Sequence, residues 1–292
     1  MPSEPELPRP AGIGDEAAPD LAGQLTAVRT LGWNLLELRT LDGTPIAELS
    51  RTDVALAAER IRAAGVDVVA VAAKIGDWSR PATGDFAVDL AELETLVQHC
   101  VVLGTRTVRI MSFPSGGLTG TEWGRTARDR VRELARRAED AGLLLVHENC
   151  AGWAGDDADR ALELLAHADS PALRLLFDTG NGIEHGYDAP AMLREIAQYV
   201  AHVHVKDAIR TPGGETAYVL PGEGSAGVEE CLRILAEHGY RGALSIEPHL
   251  HLRPHLRAHG TDPGRGDVDA FVEYGQRLES TMRRIWSAEA IR

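Results

Sequence analysis

The sequence predicts a (β/α)8 barrel, and three observations carry that expectation. Short β-branched runs alternate with helix-period stretches rich in Ala, Leu, Arg and Glu, the signature of repeated βα units around a parallel sheet. The runs number eight, the first of them weak. Several units also share one punctuation, Leu31-Gly32-Trp33, Ala64-Gly65-Val66, Ala141-Gly142-Leu143 and His238-Gly239-Tyr240. In each, a glycine supplies the left-handed cap that ends a helix before the next strand. An open doubly wound sheet gives a similar alternation, but eight units and no GxGxxG after the first strand favour closure.

The strands are read at Ala11–Gly14, Asn34–Arg39, Val66–Ala72, Thr107–Ser112, Leu143–Glu148, Leu173–Asp178, Ala201–Lys206 and Gly242–Glu247. Amphipathic segments lie between or after them, among them Asp53–Ala64, Thr126–Ala141, Asp157–Ala168, Val228–His238 and Asp267–Ser287. Barrels of this type run to about 250 residues as one unit. The 292 residues therefore fit one domain over 11–292 behind a flexible, Pro-rich and acidic extension over 1–10.

Composition narrows the partners. A formal charge of -14 and a pI near 5.2, with no run of Lys or Arg, set the surface against phosphate backbones, so nucleic acid is not expected. No stretch approaches the roughly 20 apolar residues of a membrane span. The start lacks the basic and apolar regions of a secretion signal. Cys100, Cys150 and Cys231 are few, odd in number and far apart, which argues against a disulfide framework or a CxxC metal site. A cytoplasmic enzyme with a small-molecule substrate is the expectation, with homo-oligomerisation left open.

Alternate residues of a barrel strand point inward, and enzymatic groups gather at the carboxyl ends. In Ala201-His202-Val203-His204-Val205-Lys206 the valines take one face and the polar residues the other. The same phase puts Ala243, Ser245 and Glu247 inward on the last strand, and turns Glu148 and Asp178 inward at the ends of theirs. Four consecutive strands thus end in a potential ligand. Three carboxylates aimed at one another resist ionising together unless a cation sits between them. Glu148, Asp178, His204 and Glu247 are therefore the expected metal ligands. An oxygen-rich set with one imidazole suits Mn2+ first, then Mg2+ or Co2+, with Zn2+ also open. Taken one at a time, these residues also read as a turn cap, an interior histidine and rim charges.

At His147-Glu148-Asn149, Phe177-Asp178-Thr179-Gly180-Asn181, His202-Val203-His204-Val205-Lys206-Asp207, Gly222-Glu223-Gly224, and Gly239-Tyr240 leading to Ser245-Ile246-Glu247-Pro248, the chain resembles the sugar phosphate isomerase/epimerase family. These are the xylose-isomerase-like TIM barrels of the AP endonuclease 2 superfamily, which include ketose 3-epimerases, hydroxypyruvate isomerase and inosose dehydratase. The resemblance spans most of the chain. It implies the same four metal ligands, and it casts Glu148 and Glu247 as the catalytic acid/base pair on opposite sides of the substrate. The sequence departs from many epimerase members in carrying Asn181 where they have a substrate-contacting histidine.

The implied chemistry is removal of the proton beside the carbonyl of a hydroxy-ketone, with a divalent metal stabilising the enediolate. Return of the proton to the opposite face is epimerisation, and return to the adjacent carbon is isomerisation of a sugar, sugar acid or cyclitol. Loss of a β-hydroxyl instead is dehydration of a keto-sugar or keto-cyclitol, which stands as the alternative. A partner-dependent subunit and an AP-endonuclease-like nuclease are further alternatives, the last disfavoured by the acidic composition. Lys206, Asn181, Arg109, Glu37 and His249 are candidate substrate-binding residues. Lys206 also reads as the partner of Asp207, and Glu37, Arg39 and Arg109 as internal ion pairs. His202 reads as hydrogen-bonded core one layer below the metal, and Gly222-Glu223-Gly224 either as an anion loop at a helix start or as a plain turn. His249, His251, His255 and His259 read as a substrate-covering loop or a solvated stretch. Trp33, Trp78, Trp123 and Trp153 read as pocket walls or packing.

Overall fold

The computed structural model describes residues 7–250 and 267–289. Eight parallel strands form a nearly closed barrel: β1 Arg9–Gly12, β2 Leu35–Leu38, β3 Asp67–Ala72, β4 Thr107–Ser112, β5 Leu144–Gly152, β6 Leu173–Asp178, β7 Val200–Val205 and β8 Ala243–Ile246. Their spatial order is β1-β8-β7-β6-β5-β4-β3-β2, and a parallel bridge from Ile13 to Glu37 joins the two ends. Helices α1 Leu21–Thr30, α2 Arg51–Ala63, α3 Phe86–Leu103, α4 Gly120–Asp140 and α5 Ala158–Ala168 follow the first five strands. The short α6 Asn181–His185 and then α7 Ala189–Ile196 follow β6, α8 Val228–Glu237 follows β7, and α9 Val268–Glu289 follows β8.

Local chemistry sets the boundaries. Side chains of Asp20, Ser50, Asp85, Asp157 and Asp188 accept a backbone N–H in the first turn of α1, α2, α3, α5 and α7, satisfying donors that a helix start otherwise leaves bare. At the other ends Gly32, Gly65, Gly142 and Gly239 hold φ between 69° and 73°, the left-handed turn that their place before a strand predicts. Outward-facing Val, Leu and Ile of the strands pack on the helices in one continuous core. Inside, the floor is small: Ala11, Leu35 and Ala243, with Val69 against them. That floor leaves the upper interior to polar side chains.

Three differences from the sequence reading bear on the site. The first strand spans Arg9–Gly12 rather than Ala11–Gly14, and a 3-10 turn over Gly14–Glu16 carries Asp15 and Glu16 just beyond its end. Strand β5 runs past Glu148 to Gly152, where a register shift pairs Gly152 with Ser112 of β4. Two antiparallel hairpins were not foreseen, Thr40–Leu41 with Thr44–Pro45 after β2, and Asp207–Arg210 with Thr216–Val219 after β7. Of the clustered histidines, His251, His255 and His259 lie outside the described residues.

Candidate metal centre

Glu148, Asp178, His204 and Glu247 converge at the carboxyl ends of β5, β6, β7 and β8, each offering a ligand atom within 4.8 Å of the others. All four are buried, between 0% and 5% exposed. The neighbouring strands deliver them in register, with Asp178 opposite His204, and His204 opposite Ser245 two residues before Glu247. Glu148 Oε2, Asp178 Oδ2 and His204 Nδ1 have no hydrogen-bond partner despite burial. Buried polar atoms that make no hydrogen bond are costly, and these three, the two oxygens answered only by ion pairs with Arg109 and Lys206, lie in a cluster that fits a divalent cation held by oxygen and one imidazole.

The rest of each ligand is held firmly. Asp178 Oδ1 accepts the N–H of Gly180 (2.7 Å) and Asn181 (2.9 Å). Asn149 bridges β5 to β6, its Oδ1 accepting the Asp178 N–H at 2.6 Å and its Nδ2 donating to the Asp178 carbonyl at 2.9 Å. Asn181 Nδ2 donates to Glu148 Oε1 at 3.3 Å. Glu37, on β2, accepts from His202 Nε2 at 2.7 Å and His204 Nε2 at 3.0 Å. That leaves His204 Nδ1 facing Glu148 Oε1 (3.6 Å) and Glu247 Oε2 (3.7 Å).

Three cations answer the carboxylates. Lys206 Nζ lies 2.8 Å from Glu247 Oε2 and 3.0 Å from Asp178 Oδ2. Arg39 Nη1 donates to Glu247 Oε1 at 2.7 Å while its other nitrogens engage Asp15 and Glu16. Arg109 Nε is 3.3 Å from Glu148 Oε2 and its Nη1 donates to the Ala73 carbonyl at 3.0 Å. The pKa values follow from this traffic. Burial pushes Asp178 up, and with Glu247 and Glu148 repelling it the Lys206 ammonium only brings it back to about 6. Burial opposes ionisation of Glu148 as well, yet Arg109 and His204 hold it at about 2. Glu247, against the same burial, is held well below the usual carboxylate range by Lys206, His249, His204 and Arg39. His204 is raised well above the ordinary imidazole value, burial being overcome by Glu37 and Glu148.

Above the ligands a cavity of about 210 Å3 opens, lined by Arg39, Arg109, Lys206 and Asn181, with Trp78, Tyr218, Cys150 and His249 as further walls. Of the candidate substrate-binding residues, Lys206, Asn181, Arg109 and His249 thus reach the pocket. Glu37 does not: it is 0% exposed beneath His204, with both oxygens engaged by imidazoles. Lys206 pairs with Asp178 and Glu247 rather than with Asp207. The Asp207 carboxylate instead accepts N–H groups of Ala208, Gly222, Gly224 and Ala226. The amides of Gly222 and Gly224 are therefore taken up by a side chain of the same chain, and the anion-loop reading of Gly222-Glu223-Gly224 is corrected. His202 lies one layer down, bonded to Glu37, as its strand phase suggests. Among the tryptophans only Trp78 lines the pocket; Trp33 and Trp123 donate to Glu279 and to the Phe113 carbonyl, and Trp153 packs under Arg128 and Arg160.

Sequence reasoning missed Asp15, Glu16 and Tyr218. Asp15 and Glu16 bracket Arg39, and Glu16 also accepts from His249 through its backbone N–H and Nδ1, both at 3.0 Å. The available signal was their place just past the first strand, where barrel sites gather. Tyr218 stands on the second hairpin, its hydroxyl donating to Glu184 at 2.9 Å and its ring edge-on to His249.

The family model for the xylose isomerase-like TIM barrel matches residues 25–264. The chain belongs to that family. An inosose dehydratase of Clostridium beijerinckii is 29% identical over 140 residues, covering 43% of this chain and 47% of that protein. The chain thus aligns with about half the length of the curated relatives it matches. A D-allulose 3-epimerase from Methylomonas sp., in complex with D-allulose, superposes with a TM-score of 0.74 at 16% identity over 96% of this chain and 98% of that one. A family member from Mycobacterium smegmatis in complex with magnesium gives a TM-score of 0.70 at 18% identity, over 97% and 98%. At these identities the solved structures share the fold. Among the described residues, no helix is long and apolar enough to cross a membrane.

Proposed function

We propose that this barrel is a divalent-metal-dependent enzyme that abstracts the proton beside the carbonyl of a polyhydroxy ketone, and that the outcome is dehydration of a keto-cyclitol. The observation that carries the metal is the convergence of Glu148, Asp178, His204 and Glu247, three of whose buried atoms make no hydrogen bond. These four residues would hold the cation, Mn2+ first by donor set and Mg2+ as the alternative that a solved relative contains. A cation there supplies Lewis-acid polarisation of a carbonyl and its neighbouring hydroxyl.

The chain's own residues then divide the work. Glu148 is the better base of the two glutamates, because one cation approaches it at 3.3 Å and its Oε2 lacks a hydrogen-bond partner, whereas Glu247 accepts from both Arg39 and Lys206. Glu148 takes the carbon-bound proton and hands it to the departing β-hydroxyl, so that one C–H and one C–O bond break, a C=C bond forms, one water is lost and Glu148 ends ionised as it began. Lys206, Arg109, Asn181 and His249 line the space where hydroxyls would be positioned.

Dehydration is placed ahead of epimerisation for two reasons. Curated relatives aligned with this chain are inosose dehydratases, and Asn181 stands where many epimerases have a histidine. Epimerisation or isomerisation is the second reading, favoured by two glutamates within one ligand cluster and by the epimerase superposition. The setting is inferred to be the cytoplasm, in keeping with three free cysteines.

Proton NMR in heavy water, with Mn2+ and a panel of inososes, ketoses and keto-acids, tests the proposal. Metal-dependent loss of one carbon-bound proton with formation of an unsaturated or diketo product is expected from an inosose. Exchange with recovery of an epimer moves the assignment to the second reading, and no exchange from any ketone by protein carrying one bound metal contradicts both.

A further inference from the structure

We propose that Glu37 is a positioning residue for the metal centre: it fixes the His204 ring so that Nδ1, rather than Nε2, is presented to the cation. Glu37 is on the opposite side of the barrel from the strands that carry the ligands, and it is 0% exposed, so it touches neither substrate nor solvent. A buried carboxylate with no role is expensive. Both of its oxygens are used. Oε1 lies 3.0 Å from His204 Nε2 and Oε2 lies 2.7 Å from His202 Nε2, in a three-residue chain that crosses the barrel interior.

The geometry has a directional consequence. An imidazole that donates Nε2–H to a carboxylate keeps its other nitrogen free for a metal, and the free nitrogen of His204, Nδ1, is the one without a partner and 3.6–3.7 Å from Glu148 and Glu247. His202 packs edge-on against His204 with ring centroids 5.5 Å apart, so the two imidazoles that Glu37 bonds also touch each other. Glu37, His202 and His204 also offer three ligand-type atoms close together. A second metal there would have to strip the protons from both imidazole Nε2 atoms and lose two short hydrogen bonds, so the cluster acts as a brace.

This inference rests on the metal reading above, and its test separates the two. The metal-stripped chain is titrated with Mn2+ alone, and free Mn2+ is counted by electron paramagnetic resonance. Glu37→Gln supplies one acceptor where two donors need them, and it removes the charge that supports His204. Loss of such an outer partner weakens a metal by about 10–100-fold. A folded Glu37→Gln protein, matched to wild type by circular dichroism, that binds Mn2+ at least fivefold more weakly supports the role; a smaller change overturns it. If wild type binds no Mn2+, the metal centre itself is refuted. If Glu37→Gln does not fold, nitrogen-15 NMR of the wild-type histidines with Mg2+ decides: a proton on His204 Nε2 with bare Nδ1 supports the brace, and a proton on Nδ1 overturns it.

Discussion

Replacing Lys206 by Met separates the charge balance of the site from its metal. The Lys206 ammonium sits 2.8 Å from Glu247 and 3.0 Å from Asp178 and is only 4% exposed, so the substitution strips buried Asp178 of its ion-pair partner and leaves Glu247 paired with Arg39 at 2.7 Å. Breaking a buried pair from one side costs about 3–5 kcal/mol. Unfolding entropy of about 2.1 cal/mol/K per residue, over 292 residues, is about 0.6 kcal/mol/K, so the metal-stripped variant should melt about 5–8 °C below stripped wild type. Metal should behave in the opposite sense. The ammonium occupies oxygens that the cation needs, and a hydrogen bond to a charged group contributes about 1.5–3 kcal/mol, so Lys206→Met should bind Mn2+ about 10–100-fold more tightly. Saturating Mn2+ should then close most of the gap in melting temperature. Differential scanning fluorimetry of stripped and Mn2+-loaded protein, paired with a Mn2+ titration, reads both quantities. A stripped variant that melts with wild type, or one that binds Mn2+ more weakly, refutes the competition argument.

Further outcomes follow from the same geometry. Asp178 rises from 3.8 to about 6 in the folded chain, so in stripped protein it binds more protons folded than unfolded; stability should fall by about 3 kcal/mol as pH rises from about 4 to about 6, and pH-dependent melting of stripped wild type against Asp178→Asn checks the sign. Because the metal needs Asp178 ionised and His204 without its proton on Nδ1, Mn2+ affinity should already weaken about tenfold per pH unit between pH 7 and 6, through the raised His204, and more steeply below about 6 where Asp178 also takes up a proton, measured by titration at pH 5, 6 and 7; a flat profile contradicts the ligand set. Asn149→Ala leaves the Asp178 backbone amide and carbonyl short of partners and should cost about 2–3 kcal/mol by urea unfolding, with weaker Mn2+ binding in the folded fraction. Gly224→Ala places a methyl group 2.0 Å from Asp207 Oδ1, so the loop before α8 must shift; a lower melting temperature with unchanged Mn2+ affinity is expected, since Asp207 is not a ligand.

The barrel was legible because each unit repeats the same two periods, and the glycines that end its helices recur at the same place relative to the next strand. The four candidate ligands were legible for a sharper reason. On a barrel strand the phase of the valines in Val203 and Val205 dictates where His202, His204 and Lys206 point, and the same arithmetic on three neighbours brings Glu148, Asp178 and Glu247 to one level. Phase says nothing about which polar groups then pair. Lys206 and Asp207 are adjacent in sequence and face opposite ways, one into the pocket and the other into a ring of backbone amides, which sequence proximity alone reads as an ion pair. Asp15 and Glu16 escaped notice because β1 spans four residues, too few to show a period. Tyr218 and Glu184 meet only through a hairpin and a five-residue helix inserted after β7 and β6, whose arrangement depends on tertiary contacts rather than local pattern.

The most direct measurement is an anomalous difference map from crystals of the full chain soaked in Mn2+. The described residues offer three clusters that could attract the ion: Glu148 with Asp178, His204 and Glu247; Glu37 with His202 and His204; and Glu16 with Glu247 and His249. The account predicts one strong peak, bonded to Glu148, Asp178, His204 Nδ1 and Glu247. A peak in either of the other clusters, or none at saturating Mn2+, would contradict it.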